Sequence, residues 1–222
     1  MKSKTDYGIA PPGTYKIVLE SLMPIKGLNV LDVPAGSGGF AARMKAEGAS
    51  CIALDINAPA NHTPCIRADM NQYLPFKNET FDAITCLEGI EHIHDAFKMI
   101  HEFYRILRPE GQLAISTPNV QNMRSRIKFL LRGTLFWFDS REIHGVGHIN
   151  VIPWFLFKHI LKSSGFTIEN VQANRSVFPA APFFLARLMQ RCFSKKNDDA
   201  EQNSPLMLSA EALIILARKK TL

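Results

Sequence analysis

Residues 28–44 read LNVLDVPAGSGGFAARM, and this stretch decides the fold. Val30, Leu31 and Val33 form a short apolar run that suits a buried strand. Pro34, Gly36, Gly38 and Gly39 break it, so the backbone must turn sharply. Phe40, Ala41, Ala42 and Met44 resume with helical character. A strand, a glycine turn and a helix result. At Gly36 and Gly38 the missing Cβ lets a ligand lie on the backbone, and the N–H groups that open the helix point at the same place. The spacing Gly36-x-Gly38-x-x-Ala41 satisfies the dinucleotide fingerprint with Ala last. Asp32, at the strand end, argues for another ligand. A carboxylate there repels a diphosphate and suits a cationic group, such as the ammonium of a bound amino acid.

Outward from this stretch, strands and helices alternate, which argues a mostly parallel sheet covered on both faces. A short helix carrying Tyr15, Val18, Leu19 and Leu22 follows Thr14, a plausible N-cap, and stops before Pro24. Residues 51–56 (CIALDI) read as a second strand and residues 65–68 as a third. A fourth begins at Phe81-Asp82. Asp95 suits the N-cap of a helix with Phe97, Ile100, Phe103 and Leu107 inward, ended by Pro109 and Gly111. Residues 112–116 form strand five, 166–171 strand six and 211–217 the last strand. Residues 120–132 read as a basic amphipathic helix ended by Gly133, and residues 135–150 as an irregular stretch. Pro153 opens a further helix that Gly165 ends. Asp55 lies nineteen positions after Gly36, near where a ribose-binding carboxylate is expected in such folds.

The 222 residues, 46% of them hydrophobic, are enough for one α/β domain. The expected division is an N-terminal arm and helix over 1–27 and a cofactor-binding core over 28–175. A variable helical insertion with a linker follows over 176–209, then the last strand over 210–222. Cys51, Cys65, Cys86 and Cys192 form no C-x-x-C pair, which argues against a zinc or disulfide framework and for a reducing, cytoplasmic setting. The first residues, MKSKTDYGIAPPG, lack the apolar core of a signal peptide, and no apolar run reaches the ~20 residues of a membrane span. A net charge of +6 admits an anionic partner without naming one.

The pattern resembles the class I S-adenosylmethionine-dependent methyltransferases: a hydrophobic strand, an acidic residue and a Gly-x-Gly turn. Similar to that family too are the Phe81-Asp82 strand start and the run Arg105-Ile-Leu-Arg-Pro-Glu-Gly111. Pro34 departs from it, standing where the family usually has its first glycine. The resemblance runs from about residue 28 to 171 and resumes at the last strand. It implies a Rossmann-like α/β fold with a seven-stranded, mostly parallel sheet and an antiparallel last strand. It further implies that Asp32, Pro34, Ala35, Gly36 and Gly38 hold the methionine end of S-adenosylmethionine. Asp55 and Ile56 would hold the ribose, and Asp69 and Met70 the adenine, with Leu87 beside the methyl group.

After strand four comes Leu87-Glu-Gly-Ile-Glu-His-Ile-His94. If this run is helical, Glu88, Glu91 and His92 share one face. Three roles compete. Glu88 and His92 line the pocket with Glu91 as a structural partner; or His92 or Glu88 is a general base for an acceptor hydroxyl; or Glu88, Glu91 and His92, helped by His144 or His148, ligate a divalent cation, as such runs do in RNA 3′-end 2′-O-methyltransferases and some quinone O-methyltransferases. The expectation adopted is a small-molecule, O-directed methyltransferase with Glu88 and His92 as catalytic residues and no metal. Its rivals are an RNA 2′-O-methyltransferase, an NAD-dependent oxidoreductase and a binding scaffold without turnover. A lipid-like acceptor is expected rather than nucleic acid. Residues 183–193, with Arg187 and Arg191 opposite Leu185, Leu188, Met189 and Cys192, fit peripheral membrane contact. Arg124, Arg126, Lys128 and Arg132 make a second basic element.

Overall fold

In the computed structural model, which describes residues 10–11, 13–57, 65–145, 147–177, 201–202 and 204–221, the first strand, β1 (Asn29–Asp32), is an inner strand of a seven-stranded sheet. The others are β2 (Ser50–Asp55), β3 (Cys65–Arg67), β4 (Phe81–Leu87), β5 (Leu107–Pro118), β6 (Phe166–Ala173) and β7 (Ala212–Lys219), in the order β3-β2-β1-β4-β5-β7-β6. β1 pairs in parallel with β2 and β4, β2 with β3, and β4 with β5. β7 is inserted antiparallel between β5 and β6. This is the Rossmann-like α/β arrangement expected from the sequence, with the last strand reversed.

Both faces of the sheet are covered, which is why β4 reads as an almost continuous apolar run, FDAITCL. Successive residues of β1 alternate between the faces. Val30 packs with Val18 and Leu22 of α1 (Thr14–Leu22) and with Phe40 and Met44 of α2 (Gly39–Ala46). Leu31 joins the opposite cluster, with Ile100 and Phe103 of α3 (Ala96–Ile106) and Phe157 and Leu161 of α6 (Trp154–Ser163). Between them in sequence lie α4 (Met123–Arg132) and the short α5 (Ser140–Gly145), and α7 (Pro205–Ser209) precedes β7. The chain runs outward from β1 to β2 and β3, then crosses to β4 on the other side. The strand order therefore reverses between β1 and β4, and ligands of open α/β sheets bind beyond the carboxyl ends of the strands at such a point.

Local expectations hold at two caps. Asp95 Oδ1 accepts from the Lys98 N–H at the start of α3, and Gly133 closes α4 at φ 67°; α4 starts at Met123, after its N-cap Asn122, and not at residue 120. Others are corrected. Gly13, not Thr14, caps α1, and Thr14 is buried. Phe97 is largely exposed, while Met99 and Ile106 complete the inner face of α3. Pro109 and Gly111 do not separate α3 from the next strand. β5 already pairs at Leu107 with Phe81, and the 108–111 segment is absorbed as a register shift, with Glu110 at φ 62°. Residues 135–150 are not wholly irregular, since α5 lies among them. The proposed helix at 183–193 and most of the 195–204 linker lie outside the described residues.

Asp82 explains the Phe-Asp strand start. Its Oδ2 accepts from the Asn29 N–H of β1 at 2.8 Å and its Oδ1 from Arg108 Nη1 at 2.6 Å, which ties three strands together. A second tie sits under the 74–78 loop. Glu102 Oε1 accepts from the Leu74 N–H at 2.8 Å, and Arg105 donates to both Glu102 oxygens, to the Leu74 and Phe76 carbonyls and to Asn78. Burial works to raise the Glu102 carboxyl, but Arg105 and the Leu74 N–H together hold it below its ordinary value. Arg105→Met leaves that carboxylate, 4% exposed, without its cation. The expected loss is about 3 kcal/mol in urea unfolding at neutral pH. It shrinks as pH falls through the lowered Glu102 value, because the wild type then loses the same pair.

Candidate active site

The glycine turn is held by the protein itself. The Val33 N–H donates to Thr85 O (2.9 Å), Ala35 N–H to Leu54 O (2.9 Å), Gly36 N–H to Asp55 Oδ2 (2.8 Å) and Gly38 N–H to Ala35 O (2.8 Å). Gly36 adopts φ 54°, and a Cβ there would meet nothing within 4 Å, so it borders open space. Asp55 is the second anchor of the turn. Its Oδ1 accepts from the Asn57 N–H at 2.8 Å, yet each carboxylate oxygen keeps lone-pair capacity for another donor.

Beyond the turn lies a cavity of about 340 Å³, within the usual size of ligand pockets, ~300–1,000 Å³. Every residue expected to hold the donor or act in catalysis lines it except Asp32 and Gly38: Pro34, Ala35, Gly36, Asp55, Ile56, Asp69, Met70, Leu87, Glu88 and His92 all do. Asp69 folds an Asx turn, its Oδ1 accepting from the Asn71 N–H and Nδ2. Gly38 instead caps α2 at φ 78°. Asp32, 3% exposed, sits behind the turn. Its Oδ1 accepts from Thr85 Oγ1 of β4 at 2.7 Å, while its buried Oδ2 has no hydrogen-bond partner. Burial pushes its carboxyl up to about 7, against the Thr85 hydroxyl and the Ala41 N–H; the Asp55 charge adds to the rise.

Ala10 and Tyr15 also line this cavity and were not anticipated. The N-terminal arm contributes to the core here: Ala10 is buried and its N–H reaches the Tyr15 hydroxyl at 3.4 Å. Tyr15 stacks obliquely on Phe40, ring centroids 5.0 Å apart, and burial pushes its hydroxyl up to about 12. The sequence signal was its place on α1 beside the inward Val18, where a tyrosine brings a polar tip to an apolar face.

The 87–94 run is not an α-helix. Glu88 is left-handed at φ 50°, Gly89 follows, and Ile90–His92 make a single 3-10 turn. A Cβ on Gly89 would lie 2.3 Å from Pro34 Cδ, so a glycine is required for the approach to the turn. Glu88 and His92 thereby border the cavity, while Glu91 does not line it. Glu91 is fully buried: its Oε2 accepts from Thr117 Oγ1 at 3.2 Å, and its carbonyl accepts the N–H groups of Ile149 and Asn150. Burial, then the Glu88 charge, holds its carboxyl well above the usual range.

Glu88 and His92 border a second cavity as well, about 250 Å³, shared with Pro11, Pro118, Trp137, Glu142, His148, Glu211 and Ala212. Ser116 Oγ donates to Glu88 Oε1 at 2.7 Å and receives the Glu88 N–H at 3.0 Å. Burial raises the Glu88 carboxyl to about 7; the Ser116 bond opposes this and the Glu211 charge supports it. His92 Nδ1 lies 3.1 Å from Gly147 O, and His148 Nδ1 2.8 Å from Trp137 O. A carbonyl accepts only, so both rings carry the proton on Nδ1 and keep Nε2 as the basic nitrogen. Donor atoms of Glu91, His92 and His148 lie within 4.8 Å of one another, a group that could hold a metal ion. Glu88 and His144 do not belong to it, which corrects the ligand set expected from the run alone.

Residues 14–171 match a family model described as a methyltransferase domain. A demethylmenaquinone methyltransferase of Clavibacter sepedonicus is 30% identical over 118 residues, covering 47% of this chain and 48% of that protein. A ubiquinone biosynthesis O-methyltransferase of Aliivibrio fischeri is 29% identical over 120 residues, covering 49% and 51%. The chain thus spans about half the length of the curated relatives it matches. Among solved structures, an S-adenosylmethionine-dependent methyltransferase of Archaeoglobus fulgidus superposes with TM-score 0.62 at 19% identity, covering 93% of this chain and 95% of that one. The [4+2]-cyclase SpnF superposes with TM-score 0.61 at 15% identity, covering 93% and 80%. The strand order, the glycine turn and the match over residues 14–171 converge: this chain belongs to the S-adenosylmethionine-dependent methyltransferase family.

Proposed function

We propose that the protein transfers the methyl group of S-adenosylmethionine to a hydroxyl oxygen of a small, largely apolar acceptor. The donor occupies the first cavity and the acceptor the second. One observation carries this: Glu88 and His92 line both cavities, so the same two side chains meet donor and acceptor. When bound, the donor supplies an electrophilic methyl group on a positively charged sulfur.

The residues fit that donor and not a dinucleotide. The Ala35, Gly36 and Gly38 N–H groups that would cradle a diphosphate are taken by Leu54, Asp55 and Ala35. Asp55 keeps capacity to accept from two ribose hydroxyls, and Asp69 and Met70 offer an acceptor and an apolar surface for a base. Asp32 acts from behind the turn through its charge, which a cationic ligand offsets. Tyr15 adds an aromatic ring to the same lining. On the acceptor side Glu88, Glu142 and Glu211 line the second cavity with no Lys or Arg among the described residues. That disfavours the phosphates of a nucleic acid and suits a neutral acceptor. His92, oriented by the Gly147 carbonyl, takes the hydroxyl proton at Nε2, and Glu88 positions the hydroxyl. The similarity to a demethylmenaquinone methyltransferase and a ubiquinone biosynthesis O-methyltransferase supports an acceptor of this class. Residues 183–193, outside the described residues, carry the apolar and arginine pattern of an interfacial helix and support contact with a lipid-like acceptor.

A metal-assisted version is favoured by one observation. Glu91 Oε1 is buried without a hydrogen-bond partner beside His92 and His148. A carboxylate with two imidazoles suits a transition-metal dication better than Mg²⁺. Such an ion would polarise the acceptor oxygen. Elemental analysis of the purified protein, with Glu91→Gln as control, decides between the two versions.

Calorimetry should show S-adenosylmethionine binding; absence of binding ends the proposal. With labelled donor and organic-soluble extract, label should enter a small organic product. His92→Ala should lower the rate by about 10²–10⁴-fold with donor affinity nearly unchanged. Asp32→Asn should weaken donor binding by about tenfold. It should also stabilise the ligand-free protein. Asp32 titrates at about 7 when folded against an ordinary value of 3.8, so between them the folded state holds a proton the unfolded chain has lost. Stability from this group is full below the lower value and lost as pH rises through the upper one. The gain from Asp32→Asn should therefore grow by about 2–3 kcal/mol from pH 5 to pH 8, read by denaturant unfolding.

A further inference from the structure

Of the residues of α4, only Ser125 is buried. Leu130 is 83% exposed, Leu131 74% and Phe129 57%, and Ile127 and, on α5, Ile143 are exposed beside them. A ten-residue helix is marginal by its own propensity and ordinarily gains its stability by burying an apolar stripe. Here the stripe faces outward. Residues 123–145 also carry Arg124, Arg126, Lys128, Arg132 and Arg141 against only Asp139 and Glu142. Arg132 makes no ion pair among the described residues, and the Arg141 side chain is 90% exposed. Arg124 lies over the Phe136 ring, 4.4 Å from its centroid. Between α4 and α5 runs an open groove of about 610 Å³, and Trp137 and Glu142 line both this groove and the acceptor cavity.

We propose that the α4–α5 face docks on the surface of an anionic bilayer. Leu130, Leu131 and Phe129 enter the boundary between headgroups and acyl chains. Arg132 and Arg141 stay at headgroup level, where long cationic side chains place their charge in water while their stems cover apolar surface; Lys128 is held inward by Asp139 at 3.0 Å and takes no part. The surplus of cations selects an anionic leaflet. An apolar protein partner would not call for that ring of charge. Because Trp137 and Glu142 line both the groove and the second cavity, docking this face brings the acceptor cavity next to the bilayer in which an apolar acceptor dissolves. This last link rests on the methyl-transfer reading; the docking does not.

The test is flotation of the full chain with vesicles of phosphatidylcholine alone or mixed equally with phosphatidylglycerol, and it needs no turnover. Binding is expected to the mixed vesicles, at least about tenfold weaker to the neutral ones, and weakened by raised salt. Leu130→Asp with Leu131→Asp should abolish it while leaving thermal unfolding and donor binding unchanged, since both positions are exposed. If that variant does not fold, Arg132→Glu with Arg141→Glu decides instead. No binding to anionic vesicles overturns the proposal, and so does binding that survives both pairs of substitutions. A dimer in light scattering that the Asp variant disrupts, without vesicle binding, assigns the face to a second copy of the chain and equally overturns it. Loss of donor binding in the wild type would sink the methyl-transfer reading and leave the flotation result standing.

Discussion

The hydrogen bond from the Gly36 N–H to Asp55 Oδ2, 2.8 Å long, holds together everything that follows. It joins the turn after β1 to the end of β2, next to the point where the strand order reverses. Without it the turn would present a free N–H to the cavity, and the site would be open to phosphate. With it, the turn is a closed wall and Asp55 is fixed on the lining of the cavity. One carboxylate thus sets the shape of the wall and supplies an acceptor on it. Gly36 adds a left-handed φ, the region that favours glycine, with open space where a Cβ would stand.

The charge of the site follows the same economy. Glu88 lines both cavities, while Asp32 is buried behind the glycine turn and Glu91 is buried close to His92. Burial raises all three above the ordinary carboxylate range. Two of them keep a buried oxygen without a hydrogen-bond partner. In a stable core such groups are costly. Proteins tolerate that cost where function needs it. A ligand bearing positive charge relieves the strain, which is why the arrangement suits a sulfonium donor with an ammonium tail. Glu88 adds a left-handed backbone, held by two hydrogen bonds to Ser116, at the wall between the cavities.

Fold alone would not have led to this function. The same sheet order superposes on methyltransferases and on a cyclase alike. What separates the readings is local chemistry: turn N–H groups already satisfied, carboxylates behind them, and imidazoles whose tautomers are fixed by backbone carbonyls. The exposed stripe on α4 is a second local fact that the fold does not require.

The alternation of apolar runs, glycine turns and capped helices was legible in the sequence, because each depends on near neighbours. Residues 28–44 and Phe81-Asp82 suffice to place the strand–turn–helix unit and the core strand beside it. Asp55, Asp69, Met70 and Leu87 were legible as cavity residues because strand ends in a parallel sheet share one edge. Tertiary structure decided the rest. Which way Asp32 turned depended on Thr85, fifty-three positions away, offering a hydroxyl at the right height. Glu91 parted from Glu88 because Gly89 had to pass against Pro34, so no helical face could form. Trp137 and His148 reach the cavities from a stretch with no periodic signal of its own, and Tyr15 from α1, whose helical pattern does not say which cavity it borders. Periodicity records which side of an element is apolar; only packing determines which distant side chain meets it.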